Sequence, residues 1–198
     1  MLKRLFDLLC AALGLAALLP VLVLIAIWIK LDSPGPVFFR QVRVGRFGIP
    51  FRIHKFRTMR VNAEQGGRLT VGRDSRITRS GHLLRKTKLD ELPQLIDVLI
   101  GNMSLVGPRP EVQEFIDCYP DDIKAKVLSV RPGITDRASI EMVDENEILS
   151  KYPEPRQAYI DHILPIKQRY YVEYVDNHGV LTDIRIILGT ILKIIKRS

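Results

Sequence analysis

An uncharged apolar run near the N-terminus constrains this chain more than any other feature. Leu8–Ile29 is 22 residues long and contains no charged side chain. As a helix it would extend about 33 Å, enough to cross the hydrocarbon core of a bilayer. A buried helix of a soluble protein is disfavoured because the run is apolar on every side. A cleaved signal peptide is disfavoured because the run is long for a signal sequence and no clear cleavage site follows.

Pro20 and the flanking charges leave two topologies open for this segment. Pro20 removes one backbone hydrogen bond near the middle of the run and favours a bend there. Lys3 and Arg4 precede the run and Lys30 follows it, so the distribution of positive charge gives no direction of insertion. A straight span fits the hydropathy. A re-entrant hairpin hinged at Pro20, with both ends on the cytosolic side, fits the symmetry of the charges, and we predict it for residues 1–31.

Length and charge limit what the rest of the chain can be. The 198 residues predict a single domain, 1–198, with residues 32–198 outside the membrane-inserted segment. The formal net charge is +8 and the pI about 9.7, which favours an anionic partner: nucleic acid, a membrane surface or a phosphorylated substrate. Cys10 and Cys118 form neither a disulfide framework nor a metal-ligand spacing, as expected for a cytosolic location.

A β-hairpin is predicted directly after the apolar segment. Residues 37–44 and 51–57 are rich in aromatic and β-branched residues and flank a turn at Gly45–Gly48. Strict alternation would place Lys55 and Arg57 on one face of the second strand and His54 on the other. Either base could point into an anion site, or this face could be solvated. His54 lacks metal-ligand spacing and is interpreted as structural.

The remaining segments predict a mostly helical α+β fold. Helices are expected at Glu111–Tyr119 and Pro120–Val127, a strand at Leu128–Val130, and a turn at Arg131–Thr135. The C-terminal stretch 181–198 is an amphipathic helix with a wide apolar face. It could pack on the core or lie in the membrane interface, and the sequence leaves both open.

The most informative stretch for chemistry is 85–110. A basic run leads into the adjacent acids Asp90 and Glu91, and a short apolar helix follows, with Pro93 in its first turn and Gly101 at its end. Asp90 is therefore predicted at or beside the N-cap of that helix. The apolar residues at helical spacing are Leu92, Leu95, Ile96 and Leu99.

Asp90 and Glu91 have a structural and a functional interpretation. Taken alone, an Asp-Glu pair before a helix most often caps it. A carboxylate among phosphate-binding bases can also act as a nucleophile and form an acyl-phosphate. Glu91 could then hold a divalent metal that screens the repulsion between two anions.

Several further segments, in order behind the apolar helix with Pro20, carry a family resemblance. They are Gly35–Gln41, Lys55–Met59, Leu89–Leu95, Gly101–Ser104, Val106–Pro110 and Arg131–Thr135. Together they resemble the bacterial sugar transferases of the monotopic phosphoglycosyl transferase type. That resemblance implies a catalytic domain held at the membrane interface. It also implies transfer of a sugar 1-phosphate from a UDP-sugar to polyprenyl (undecaprenyl) phosphate, with release of UMP.

The resemblance also implies roles for individual residues. Asp90 would carry the phosphosugar covalently, and Glu91 would be its metal-associated partner, with Mg²⁺ as the ion. The phosphate-binding bases would be Arg85, Lys55 or Arg57, and Arg109, and the segment Pro108–Arg109–Pro110 would face the nucleotide. The expected location is the bacterial inner membrane, with the catalytic part on the cytosolic face. A second copy of the chain is a further candidate partner.

This chain departs from the family pattern after Thr135, and two rival functions stay open. Asp136–Ser139 stands where many relatives have Gly-Leu-Ala-Gln, so no binding residue is assigned there. Asp183, opening the terminal helix, is interpreted as a cap rather than a metal ligand. One rival is a polyprenyl-phosphate phosphatase, which would release inorganic phosphate instead of UMP. The other is a non-enzymatic basic surface protein, but no nucleic-acid-binding module is recognised and no nucleic-acid partner is predicted.

Overall fold

The structure is a computed structural model that describes residues 1–61, 63, 72, 74–142 and 144–197. Its α-helices are α1 (Leu2–Asp32), α2 (Arg79–Lys86), α3 (Gln94–Ile100), α4 (Gln113–Ile116), α5 (Asp121–Val127), α6 (Arg137–Glu141), α7 (Glu145–Leu149), α8 (Pro155–Ala158), α9 (Leu164–Asn177) and α10 (Val180–Arg197). Its strands are β1 (Phe38–Phe39), β2 (Val42–Val44), β3 (Pro50–Arg52), β4 (Lys55–Phe56), β5 (Ser104–Val106) and β6 (Gly133–Thr135). The predicted α+β, mostly helical fold class is confirmed.

Helix α1 is one helix of 31 residues that continues through Pro20. Pro20 therefore does not interrupt the helix, because losing one backbone hydrogen bond does not end a helix whose neighbouring turns stay bonded, and the predicted bend at Pro20 stays a prediction. The helix is long and apolar enough to cross a membrane, and just 11% of its most apolar stretch is buried against the rest of the chain. This exposure differs from that of a core helix in a soluble protein, which buries most of its apolar surface.

The two ends of α1 contact the same folded part of the chain. At the N-terminal end, Lys3 Nζ donates to Ser104 Oγ over 2.8 Å, and Asp7 accepts from the same hydroxyl. At the C-terminal end, Asp32 Oδ2 accepts from the backbone N–H and the hydroxyl of Ser80 at 2.9 and 2.8 Å. Between the ends, Ala11 and Ile29 are fully buried in two of the hydrophobic clusters. The whole length of α1 is thus attached to one body.

Asp183 joins α10 to α1 and is not the cap that its sequence position suggested. Its carboxylate is fully buried and pairs with Lys3, while Tyr174 Oη donates to it over 2.9 Å. Burial raises the pKa of Asp183, against the opposing effect of Lys3. The contact ties the two terminal helices together across 180 residues of sequence.

The predicted β-hairpin is confirmed, although its strands are interrupted. β1 pairs antiparallel with β4, and β2 pairs antiparallel with β3. The two short ladders are separated at Ile53–His54, where the His54 N–H donates to Asp97 Oδ2 over 2.7 Å. β4 also ends at Phe56, so the strict alternation predicted for residues 51–57 is wrong. Phe56 and Arg57 are consecutive in sequence, and both are buried.

A parallel pair of strands lies where the sequence predicted a turn. β5 pairs with β6, whereas residues 128–130 form no strand. The pairing depends on glycine, because a Cβ added to Gly133 would lie 2.0 Å from the backbone nitrogen of Gly107. The helix predicted over residues 111–119 is shorter than expected, since α4 covers Gln113–Ile116, and α5 matches its prediction closely.

Helix α10 packs on the core, which is one of the two arrangements left open by the sequence. It contacts α1, α6, β5 and β6, and the hydroxyls of Thr190 and Thr135 lie 2.7 Å apart. Its outer face leaves large apolar side chains exposed, namely Leu181, Ile184, Leu188, Ile191, Leu192 and Ile195. The helix is packed on the core along one side and presents an apolar surface along the other.

Candidate active site

A short turn of 3-10 helix, Leu89–Glu91, places the two adjacent acids. Lys88 precedes it in the left-handed backbone region, with φ 59°, which reverses the chain after α2. Helix α3 then begins after Pro93, which occupies the N-cap position. The prediction that Asp90 lies at this N-cap is therefore wrong. The predicted end of the helix at Gly101, with φ 99°, is confirmed.

The acids form a compact ion-pair cluster with two bases from distant segments. Lys55 Nζ, at the start of β4, lies 3.2 Å from Asp90 Oδ2 and 2.8 Å from Glu91 Oε1. Arg109 Nη2 donates to Glu91 Oε1 over 2.6 Å, and its Nη1 lies 3.4 Å from Glu91 Oε2. Asp90 and Glu91 are 3% and 7% exposed, so the pairs are largely shielded from water. Glu91 therefore holds Lys55 and Arg109 beside Asp90.

The positive surroundings determine how these groups ionise. Burial raises the pKa of Glu91, but Arg109, Lys55 and Lys88 outweigh it and hold that pKa well below its ordinary value. Glu91 in turn raises the pKa of Arg109 well above its ordinary value. Glu91 also raises the pKa of Lys88, but burial and the charges of Arg109 and Lys55 together lower it. The cluster thus keeps Glu91 ionised amid an excess of positive charge.

One oxygen of Asp90 is left without a partner. Asp90 Oδ1 is buried and has no hydrogen-bond partner among the described residues, whereas Oδ2 faces Lys55. A buried polar atom in this state is uncommon in proteins, and it is explained by a bound water, an ion or a catalytic role. An ionised carboxylate oxygen beside several bases can attack an electrophile that carries negative charge, such as a phosphate.

The two carboxylates are also candidate ligands of a magnesium ion. Within the described ranges, no group of three or more His, Cys, Asp or Glu side chains is arranged to hold a metal ion. Mg²⁺ is nevertheless commonly held by one or two carboxylates together with the phosphate oxygens of a substrate. The unpartnered Asp90 Oδ1 and the adjacent Glu91 fit that donor set, although Glu91 contacts Arg109 and Lys55 in the structure.

Arg109 is fixed by the backbone on both sides of it. The carbonyl of Pro108 accepts from the Gly133 N–H over 2.9 Å, and the carbonyl of Pro110 accepts from Arg43 over 3.1 Å. Both prolines are buried, and among the described residues neither lines the cavities beside the acids. Their contacts indicate that they position Arg109, rather than contact a nucleotide themselves.

Two cavities meet at the ion-pair cluster. The first, here called the Asp90 cavity, has a volume of about 540 Å³ and contains Asp90 and Glu91 in its wall. The second, here called the aromatic cavity, has a volume of about 710 Å³ and is lined by Phe38 and Phe39 among others. Both cavities are bordered by Lys55, Arg85 and Arg109. A ligand that extends through both would therefore carry its negative charge past these three bases.

Arg57 is directed away from this cluster. Its guanidinium donates to the carbonyl of Pro36 over 2.6 Å, and to the hydroxyl and carbonyl of Ser33 over 2.7 and 2.8 Å. With its side chain 4% exposed, Arg57 fastens the end of α1 to the hairpin. Its contacts support this structural role. Arg57 also lines the aromatic cavity, so its predicted phosphate binding stays a prediction, whereas Lys55 is the base placed beside the acids.

We expect Arg57→Met to lower the free energy of unfolding by about 2–3 kcal/mol, because it removes charge-assisted hydrogen bonds that no other described side chain replaces. The KM for the phosphorylated substrate should change less than twofold. Thermal unfolding in detergent and steady-state kinetics at low temperature measure the two effects. Arg52→Met is the matched control, since Arg52 is exposed on β3. A large rise in KM without loss of stability would show that Arg57 contributes to substrate binding and not to stability.

Two basic residues of the site were not selected from the sequence. Lys88 lies in the basic run before Asp90, so its closeness to Asp90 could be predicted from the sequence. Its left-handed backbone conformation could not. Lys167 on α9 borders both cavities, pairing with Glu145 at 2.7 Å and lying 3.2 Å from Tyr159 Oη. Nothing in its local sequence distinguishes Lys167 from the other bases of α9, and its position depends on tertiary packing.

Comparison with known proteins gives a consistent family. The pattern of the family described as bacterial sugar transferase matches residues 1–197. The chain is 38% identical, over 98% of its length and 43% of the relative's, to a UDP-N-acetylgalactosamine-undecaprenyl-phosphate N-acetylgalactosaminephosphotransferase of Aeromonas hydrophila. It is 39% identical, over 98% of its length and 40% of the relative's, to a UDP-glucose:undecaprenyl-phosphate glucose-1-phosphate transferase of Escherichia coli K12.

Relatives of different length share the matched region. An exopolysaccharide production protein of Rhizobium leguminosarum bv. phaseoli is 36% identical over all of this chain and 96% of its own length. The chain thus spans about two fifths of the first two relatives and nearly all of the third. The segment carrying Asp90, Glu91, Lys55 and Arg109 lies inside the region matched in each case.

Proposed function

The chain belongs to the bacterial sugar transferase family, and we propose that it transfers a sugar 1-phosphate from a UDP-sugar to undecaprenyl phosphate. The observation that carries the proposal is a buried oxygen of Asp90 that has no hydrogen-bond partner in the described part of the chain and lies at the edge of a cavity lined by bases. The names of two relatives supply the class of donor and acceptor. Such a transfer would be the first membrane step in assembly of a glycan.

The proposed chemistry proceeds in two displacements at one phosphorus atom. Asp90 attacks the phosphorus that bears the sugar, forming an aspartyl-phosphosugar, while the bond to the bridging oxygen breaks and UMP leaves with that electron pair. A phosphate oxygen of the lipid acceptor then attacks the same phosphorus and releases the Asp90 carboxylate. Splitting the transfer into two steps lets one set of bases serve both substrates in turn.

The bases of the cluster would stabilise charge as these bonds change. Lys55, Arg85 and Arg109 border both cavities, so they surround the place where a diphosphate must lie for Asp90 to reach it. Before substrate binds, Glu91 neutralises two of them and holds their side chains in place. The donors are consequently preorganised, and less reorganisation is needed when negative charge develops on the phosphate oxygens.

Mg²⁺ is the proposed cofactor, with Asp90 and Glu91 as the residues that would hold it together with substrate phosphate oxygens. When bound it would screen the repulsion between the carboxylates and the diphosphate. The pairing of Glu91 with Arg109 and Lys55 suggests that Glu91 exchanges these partners when the phosphate groups of the donor become available to the two bases.

The membrane arrangement follows from the apolar surfaces of α1 and α10. Both helices leave large apolar side chains exposed, and such surfaces mark membrane or protein contacts. Because the two ends of α1 are attached to the same body, both ends are proposed to lie on the cytosolic side of the inner membrane. The acidic pair would then face the headgroup region, where the phosphate of the lipid acceptor is found.

We expect a cysteine added before Met1 to be labelled from the cytosolic side and protected from a membrane-impermeant reagent applied to the periplasmic side. The exposed Cys118 serves as an internal cytosolic reference in a Cys10→Ser background. Labelling of the added cysteine from the periplasmic side, with Cys118 protected, would show that α1 spans the membrane and would contradict the proposed topology.

The transfer itself is tested by UMP release from a panel of UDP-sugars in the presence of undecaprenyl phosphate. We expect release of UMP, and exchange of labelled UMP into the UDP-sugar when no acceptor is present, because the first displacement is reversible. Release of inorganic phosphate from undecaprenyl phosphate without consumption of UDP-sugar would instead identify a phosphatase.

A further inference from the structure

The two walls of the Asp90 cavity differ in chemical character. One wall is basic and contains Lys55, Arg85 and Arg109. The other is formed by α6, α7 and the turn after α7, and it presents the uncharged polar side chains of Ser139, Asn146 and Ser150 together with the acids Asp144, Glu145 and Glu147. Asn146 lines the aromatic cavity as well. Uncharged hydroxyl and amide groups do not compensate a diphosphate, but they pair well with sugar hydroxyls, which both donate and accept.

The direction of displacement decides which part of a donor would occupy each cavity. In phosphoryl transfer the attacking and leaving oxygens lie roughly in line on opposite sides of the phosphorus. Asp90 lines the smaller cavity and is not part of the aromatic cavity, and the shared bases lie between the two. UMP would therefore leave toward the aromatic cavity, where Phe38 and Phe39 offer surfaces for a base. The sugar stays on the attacked phosphorus and remains beside Asp90.

We infer that the sugar of the donor lies against the polar wall of the Asp90 cavity, and that Ser139 and Asn146 select among sugars by hydrogen bonds to the hydroxyl or acetamido groups. This inference rests on the proposed function. It gives a role to the segment 136–139, which the sequence left unassigned.

The hydrogen bonds of Ser139 leave its side-chain oxygen available to accept a hydrogen bond from a sugar hydroxyl. Its hydroxyl donates to Asp136 Oδ2 over 2.6 Å, and its N–H donates to Asp136 Oδ1 over 2.9 Å. Asp136 is 2% exposed, so this acceptor is fixed in the protein interior. With the hydroxyl hydrogen directed at Asp136, the Ser139 oxygen presents its lone pairs to the cavity as an acceptor. Asn146 is exposed at the start of α7 and can both donate and accept.

The test compares Ser139→Ala and Asn146→Ala with the matched control Asn177→Ala, whose side chain donates to the carbonyl of Glu173, outside both cavities. Dissociation constants and kcat/KM are measured for UDP-glucose, UDP-galactose, UDP-N-acetylglucosamine and UDP-N-acetylgalactosamine, with UMP as the sugar-free ligand. We expect each cavity variant to change the ratio between at least two sugars by about 2–10-fold, the effect of one lost hydrogen bond. UMP affinity should stay within twofold in Ser139→Ala, whereas Asn146→Ala is judged by the ratios between sugars, because Asn146 also lines the aromatic cavity.

The outcomes separate this inference from the proposed function. Uniform losses across all four sugars, a parallel change in UMP affinity in Ser139→Ala, or no change in either variant would overturn the role of the polar wall. Altered sugar ratios in the binding measurements support it even if no UMP is released. Absence of UMP release by the unmodified protein would count against the proposed transfer alone, because the binding ratios do not depend on turnover.

Discussion

Asp90→Asn is expected to abolish sugar-phosphate transfer while leaving the protein folded and associated with membranes. The amide has nearly the same shape as the carboxylate but lacks the charge and the nucleophilic oxygen that the proposed first displacement requires. Removing a nucleophile lowers turnover by several orders of magnitude, and we expect at least about 10⁴-fold here. UMP release and UMP exchange should be lost together, since both depend on the covalent step.

The intermediate itself provides a second measurement of the same prediction. After incubation with a UDP-sugar and no acceptor, the unmodified protein should gain the mass of one phosphosugar, and Asp90→Asn should gain none. Asp117→Asn is the matched control, because Asp117 is exposed and pairs with Lys124 on the surface at 3.7 Å. Normal turnover by Asp90→Asn, or an unchanged adduct, would rule out the covalent role of Asp90.

The sequence was sufficient to select Asp90 as a candidate because the pattern around it is local, although its role as nucleophile comes from the family resemblance and stays a prediction. The acids, the basic run before them and the apolar helix after them are contiguous, and so is the apolar segment that forms α1. The predicted start of α3 is a few residues too early, because Pro93 and not Asp90 is at its N-cap. Lys88 adopts a left-handed conformation that non-glycine residues seldom occupy, and this directs Asp90 into a separate 3-10 turn. Tertiary contacts of Lys88 and the acids, rather than local propensity, fix that turn.

Other parts of the site depend on contacts between residues far apart in sequence. Arg57 and Lys55 are equivalent in an alternating strand, but β4 ends at Phe56, so Arg57 contacts Ser33 whereas Lys55 contacts the acids. The pairing of β5 with β6 likewise requires the close approach of Gly107 and Gly133. These arrangements follow from packing of separate segments, which no local pattern encodes.

Glu91→Gln has the second largest expected effect, and it distinguishes two roles of this residue. The structure pairs Glu91 with Arg109 and Lys55, so the amide would leave both bases without their main acidic partner. Lys55 lies 3.2 Å from Asp90 and would then pair with that carboxylate alone, which makes Asp90 a poorer nucleophile. We expect kcat to fall by about 10²–10³-fold. The KM for UDP-sugar should change little, because the positive charge facing the diphosphate is retained.

The dependence of activity on Mg²⁺ concentration distinguishes two roles of Glu91, positioning the bases and binding the metal. If Glu91 also holds Mg²⁺, the concentration required for half-maximal activity should rise in Glu91→Gln, whereas a residue that solely positions Arg109 and Lys55 would leave it unchanged. We expect the rise, since the loss of one of two adjacent carboxylates weakens any divalent site that they share. Glu114→Gln is the matched control, because it removes an equivalent Glu–Arg pair, with Arg156, on the surface. Full activity of Glu91→Gln at ordinary Mg²⁺ concentrations would contradict both roles.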